Sequence, residues 1–304
     1  DSLSAMRLIA AVNKTLDAQL AVRTVLQAPS VRSLSQQLGK HDSAVEVPPV
    51  EVLKQGTGIP LCCIHEGSGL SFYYRPLSEY VDGPIIGINE IPQFGEAEPD
   101  SIQSMAKNYA DRLQAHYPVG PYQLLGWSFG GIVAHELAVE LRRRGCVVQR
   151  LVLLDPGHSG TSTVGNEALD ERQVETYILD QFLRSHGIDF PEQSTPLTYG
   201  QAQEIIQHHP EVVLPPRKLF EFMVKCGHAN QFYRQDHVPE VFDGDVVIFA
   251  AQSEDGNDSS QRQYWRPYVA GDITVYPVDC AHHEMMTAES LSMYAEQLKL
   301  SLED

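Results

Sequence analysis

The sequence predicts an α/β chain built on a doubly wound, mostly parallel sheet, and three observations carry that prediction. Short continuous apolar runs recur at 59–64, 84–88, 122–125, 151–154, 246–250 and 273–276, the pattern of strands buried on both faces. Helical periodicity fills most of the intervals, including 101–117 and 131–144. Such alternation means β-α crossovers, so the working groups are expected at the strand C-termini. The third observation is the stretch Tyr122-Gln123-Leu124-Leu125-Gly126-Trp127-Ser128-Phe129-Gly130-Gly131, which passes from a strand through a Gly-x-Ser-x-Gly turn into a helix. A strand reversing that sharply brings backbone against backbone, where only glycine fits at positions 126 and 130.

Taken in order, residues 1–39 read as helical. Leu3, Met6, Ile9, Val12 and Leu16 form an apolar stripe behind a capping Asp1-Ser2, and Leu26, Val31, Leu34 and Leu38 form a second piece after Ala28-Pro29-Ser30. This segment is too small and polar to make a stable domain alone. Residues 40–57 turn polar around Pro48-Pro49 and read as an exposed linker. The large domain is expected over 58–304. After the strand at 151–154 no further strand is expected before Asp243, and helical patterns at 171–185, 199–208 and 218–233 occupy the gap. An insertion of that length after a central strand sits above the strand C-termini, so 157–236 reads as a lid.

Composition narrows the class. At 304 residues with 42% hydrophobic and 20% charged side chains, the chain can bury a sizeable core. Its net charge of −18 argues against a nucleic-acid partner, which needs a basic face to neutralise phosphates. Five cysteines, two of them adjacent at Cys62-Cys63 in an apolar run, are not a disulfide framework and favour a reducing compartment. No apolar run reaches the length of a membrane span, and a cytoplasmic location is expected. No metal site is expected.

A serine hydroxyl is a poor nucleophile near neutral pH, so Ser128 needs a base and the base needs an acid to orient it. When the serine sits on such a turn the three follow in the order Ser, acid, His. Asp155 stands at the end of Leu151-Val152-Leu153-Leu154, where a carboxylate leaves the sheet at its functional edge; Glu254 and Asp255, after a later strand, compete with it. His282 follows the last expected strand, with His283 adjacent and chemically equivalent. His65 reads as part of a binding loop, and His158, His228 and His237 as solvated or packing residues. An oxyanion would be held by the N–H of Phe129 and one from the glycine loop after the first strand, for which Gly67 is the candidate.

Taken together, His65-Glu66-Gly67-Ser68-Gly69, Gly126-Trp127-Ser128-Phe129-Gly130-Gly131, Leu153-Leu154-Asp155, Phe242-Asp243-Gly244-Asp245 and Cys280-Ala281-His282-His283-Glu284-Met285-Met286 resemble, in order, the type I thioesterase domains that end nonribosomal peptide synthetases. The resemblance implies an α/β-hydrolase fold with a helical lid. It favours Asp155 over Asp255 as the acid, and through the family's His-x-x-Met pattern it favours His282 over His283 as the base. Glu66 and Ser68 depart from the family's usual His-Pro-x-Gly-Gly loop. Asp1-Ser2-Leu3 and the helix behind it are similar to the second half of a peptidyl carrier domain, lacking that family's preceding glycines and first helix. That similarity implies 4′-phosphopantetheine on the Ser2 oxygen, with Ser4 the less favoured acceptor; on composition alone Ser2 is a helix cap. The implied partners are a peptidyl thioester held by the carrier and the upstream synthetase modules. The implied activity is release of the peptide through a Ser128-linked acyl-enzyme, by hydrolysis or macrocyclisation. A free-standing esterase, lipase or editing thioesterase, and a non-catalytic hydrolase-fold binding domain, are the competing expectations.

Overall fold

Seven strands form one sheet in the order β1-β3-β2-β4-β5-β6-β7 in a computed structural model, which describes residues 11–12, 47–157, 168–188, 196–252 and 258–303. They are β1 (Val50–Lys54), β2 (Leu61–Ile64), β3 (Ile85–Ile88), β4 (Tyr122–Trp127), β5 (Val148–Leu154), β6 (Val246–Ala251) and β7 (Ile273–Val278). All neighbouring strands are parallel except β1, which runs antiparallel to β3 along the edge. Six of the seven are the expected apolar runs. Val47–Leu214 and Glu221–Asp304 make up the larger of two compact units.

The edge strand β1 corrects the described part of the expected linker over 40–57, of which residues 40–46 lie outside the described residues. Pro48 and Pro49 suggest exposed coil, yet both are bound to the fold: the Asn89 N–H donates to the Pro49 carbonyl over 3.0 Å and Asn89 Nδ2 to that of Pro48 over 2.9 Å. Proline is tolerated beside an edge strand because the missing N–H faces no partner. Of the carrier-like segment only Ala11 and Val12 are described, and both are helical; Ser2 lies outside the described residues.

Each strand feeds two apolar layers because successive side chains point to opposite faces. Cys62, Leu124, Leu151 and Leu153 pack with α1 (Ile102–His116) and α2 (Phe129–Arg143), whereas Cys63, Leu125, Val152 and Leu154 pack on the far side with α7 (Ala288–Glu303). α1 starts at Ser101, whose side chain accepts from the Ser104 N–H in a reciprocal capping box. α2 is central: Phe129 through Leu141 are all buried along it, and removing one such leucine side chain is expected to destabilise the fold by about 2–5 kcal/mol.

The long interval after β5 carries α3 (Glu171–Ser185), α4 (Tyr199–Ile206) and α5 (Arg217–Asp236), and no strand among its described residues. Asp170 caps α3 and Thr198 caps α4, each through a box closed by a glutamine three residues on. α6 (Asp258–Trp265) joins β6 to β7.

Candidate active site

Parallel pairing of β4 with β5 sets Trp127 beside Leu154, so the residues that follow, Ser128 and Asp155, leave adjacent strands at the same edge. The ladder continues one step beyond each strand: the Ser128 N–H donates to the Leu154 carbonyl over 3.0 Å, and the Asp155 N–H to that of Phe249 over 2.7 Å. Both residues then turn with positive φ, 56° for Ser128 and 40° for Asp155. Such backbone is sparsely populated for residues with a side chain and costs about 1–3 kcal/mol. The turn at Ser128 is held by close approach, since a Cβ at Gly126 would stand 2.0 Å from the Gly130 carbonyl oxygen.

His282 reaches the same edge from a short 3-10 turn, His282–Glu284, after β7. Its Nδ1 lies 2.5 Å from Asp155 Oδ2 and its Nε2 lies 2.9 Å from Ser128 Oγ. An N–H at Nδ1 therefore donates to the carboxylate, leaving Nε2 as acceptor for the serine proton. The second carboxylate oxygen, Asp155 Oδ1, accepts from the Ala251 N–H over 3.2 Å and from Gln261 Nε2 over 3.4 Å. Trp127 lies beside the imidazole, ring centroids 5.7 Å apart.

Phe129 opens α2, and the first N–H groups of a helix have no partner within it. Gly67 is adjacent: a Cβ built there would lie 3.8 Å from the Cβ of Phe129, an ordinary contact, so its lack of a side chain leaves space rather than relieving a clash. The loop is fixed from below by His65, which is fully buried. Its Nδ1 donates to the Glu66 carbonyl over 2.7 Å and its Nε2 accepts from the Tyr109 hydroxyl over 2.6 Å. Burial pushes its pKa down to about 4, keeping the ring neutral in that tautomer. Glu66 accepts from the Ser68 N–H over 2.9 Å and from the Ser68 hydroxyl. Burial raises its carboxyl to about 7, and raises Glu90 behind it to about 7 as well.

Ser128, Phe129 and Gly67 line a cavity of about 160 Å³, together with Val174, Tyr177 and Ile178 from α3 and Asn230, Gln231 and Arg234 from α5. The insertion is tied down at this point. Asn230 Nδ2 donates to the Gly67 carbonyl over 3.0 Å and to Glu90 Oε2 over 2.7 Å, while Gln231 exchanges two hydrogen bonds of 2.7 Å with the backbone of Leu169.

The thioesterase domain model matches residues 59–299. The chain belongs to the thioesterase domain family. In front of this thioesterase domain, residues 1–38 match the phosphopantetheine attachment site model, which assigns the segment covalent phosphopantetheine. The chain is 30% identical over 99% of its length to malpinin synthetase of Mortierella alpina, and 28% identical over its whole length to a dimodular nonribosomal peptide synthase of Bacillus subtilis. It spans only 4% and 13% of those two proteins. Among solved structures, the four-domain nonribosomal peptide synthetase holo-AB3403, bound to AMP and glycine, matches with a TM-score of 0.70 and 23% identity over 97% of this chain and 23% of its own. The NocB thioesterase domain, in covalent complex with a fluorophosphonate nocardicin G analogue, matches with a TM-score of 0.59 and 24% identity over 83% of this chain and 99% of its own. These likenesses show the α/β-hydrolase fold.

The thioesterase domain thus brings together Ser128, Asp155, His282, Phe129 and Gly67. Ser2, His158, Glu254 and Asp255 lie outside the described residues. His237 is buried with its Nε2 3.3 Å from Glu136 Oε1, a packing role, and His228 lies against Phe232. Sequence reasoning did not single out Gln261, Asn230 or Arg234, because a glutamine, an asparagine and an arginine on helices carry no motif. Only the length of the insertion pointed towards the last two. Among the described residues no helix is long and apolar enough to cross a membrane.

Proposed function

We propose that Ser128, His282 and Asp155 form the catalytic triad of a thioesterase that releases a peptidyl chain from a carrier-bound phosphopantetheine thioester in nonribosomal peptide biosynthesis. The observation that carries this reading is His282 spanning Asp155 and Ser128 with one ring nitrogen on each. Ser128 Oγ attacks the thioester carbonyl as His282 Nε2 takes its proton, and Asp155 stabilises the imidazolium. The carbonyl oxygen, now negative, is held by the N–H groups of Phe129 and Gly67. The C–S bond breaks, the imidazolium returns the proton to the departing thiolate, and the acyl group remains on Ser128. Water, or an amine or hydroxyl within the peptide, then attacks the acyl-serine with His282 again as base.

The insertion spanning 157–236 acts as a lid that limits water around the acyl-serine. Ser2, within the matched carrier segment, is the attachment point for the arm, and other synthetase modules supply the chain. The five free thiols, four of them buried, fit a reducing cytoplasm. A fluorophosphonate probe should label the protein once, on Ser128, and Ser128→Ala should abolish labelling and lower thioester turnover by about 10³-fold or more. Labelling that persists in that variant would discard the nucleophile.

A further inference from the structure

The polar side chains around the cavity are nearly all engaged within the protein. Glu66 and Ser68 bond each other, Ser128 bonds His282, the Tyr177 hydroxyl accepts from Gln181, and Asn230 and Gln231 hold the backbone of the insertion and its floor. Arg234 is the exception: it lines the cavity half-buried, with no carboxylate or hydrogen-bond acceptor as partner among the described residues. This is unexpected in a chain with 40 acidic against 22 basic residues, where a cation can readily find an acid. The guanidinium is not directed away from the reacting groups. A Cβ at Gly157 would stand 3.4 Å from its Nη1, and the Gly157 N–H points at the Ser128 carbonyl oxygen over 3.4 Å.

A planar guanidinium whose donors meet no acceptor among the described residues, partly withdrawn from water, is matched best by a planar anion that takes two of them at once. Val174, Ile178 and Leu169 add apolar surface to the same cavity. Ser128 and Arg234 line the same cavity, so an occupant that meets Arg234 lies close to the scissile carbonyl. The phosphate of a pantetheine arm is separated from the thioester by the whole length of that arm and cannot be this anion while the carbonyl sits at Ser128. We infer that Arg234 is a specificity-determining residue that pairs with a carboxylate on the acyl chain, within the first few residues from the thioester. The inference rests on the thioesterase reading above for its substrate, and it narrows that substrate to acidic peptidyl chains.

The test uses the intact chain and short peptidyl ketones in which a methylene replaces the thioester sulfur, carrying Asp or Asn at the first, second or third residue from the carbonyl. Calorimetric binding should favour Asp over Asn by about tenfold at one of these positions. Arg234→Gln should erase that preference, and a circular-dichroism spectrum and thermal melt like the parent's show that the variant is folded. Arg234→Lys should keep part of the preference, and Arg234→Glu should transfer it to a ketone carrying Lys. An Asp-to-Asn ratio that is the same in parent and Arg234→Gln at every position overturns the inference, as does a parent that prefers neither. If neutral thioesters are hydrolysed while no preference exists, this inference falls and the thioesterase reading stands. If fluorophosphonate labelling fails, that reading falls while the ketone ratios still decide the role of Arg234.

Discussion

Asn230 Nδ2 donates to the carbonyl oxygen of Gly67 over 3.0 Å, although 163 residues separate the two in the chain. The bond fastens helix α5 of the insertion to the loop that would supply the second oxyanion donor, and the same amide nitrogen neutralises a lone pair on Glu90. Removing it frees the loop and takes one donor from a buried carboxyl that also meets the Cys226 thiol. Asn230→Ala should therefore lower stability by about 1–3 kcal/mol and reduce kcat for thioester hydrolysis more than it raises KM. Thermal melts and steady-state kinetics on one preparation check both; unchanged kcat would mean that the insertion does not set the oxyanion loop.

Two partly buried carboxyls contribute to the pH dependence of stability in an uncommon direction. Glu66 and Glu90 are each raised from 4.5 to about 7 by burial, so the folded chain holds protons there that the unfolded chain has released. With more protons bound in the folded state, the share of stability that these two carboxyls contribute falls as pH rises from about 4.5 to about 7 and is level above that, while His65 and His135, lowered by burial to about 4, add an opposing share that grows as pH rises from about 4 to about 6.5. Glu66→Gln and Glu90→Gln should each remove one carboxyl's share and so raise Tm above the parent's at pH 8 by a few degrees, on the order of 1–2 kcal/mol, with little change at pH 4.5. Melts of parent and variants at the two pH values decide it, and a variant-minus-parent difference in Tm that is the same at both would show the carboxyls to be ionised throughout.

The sheet was legible because its strands are buried on both faces, and an uninterrupted run such as Leu151-Val152-Leu153-Leu154 has few other readings. The edge strand Val50–Lys54 was not legible, because it is half-covered and preceded by two prolines whose binding by Asn89 depends on a residue far along the chain. The same distinction holds at the site. Ser128 announced itself through local backbone demands, and Asp155 and His282 through their places after strands. Asn230, Gln261 and Arg234 act through geometry that exists only once helices have been laid over the sheet, so no local pattern marks them.

Close backbone contact at the serine turn gives a sharp contrast between glycines. A Cβ at Gly130 would fall 2.4 Å from the His65 carbonyl oxygen and 2.5 Å from that of Ile64, both fixed at the end of β2. No flexible side chain can yield there, so Gly130→Ala should destabilise by about 3 kcal/mol or more, or prevent folding. At Gly200, exposed in the first turn of α4, a Cβ would meet nothing within 4 Å, and Gly200→Ala should be neutral or stabilising by up to about 1 kcal/mol through helix propensity. Denaturant midpoints for the two variants test the contrast.

Asp155→Asn separates an orienting role from a merely structural one. Oδ1 already accepts from the Ala251 N–H, so the amide of the variant would keep its oxygen there and turn its NH2 towards His282. An NH2 cannot accept from Nδ1–H, so the imidazole would move its proton to Nε2 and could no longer take one from Ser128. The geometry would survive and the base would not, lowering kcat by about 10³–10⁴-fold with only a modest change in Tm. Asp255→Asn, made beside it, should leave kcat within about twofold, because Asp155 would still hold the imidazole. A larger loss in the Asp255 variant would transfer the acid's role to that residue.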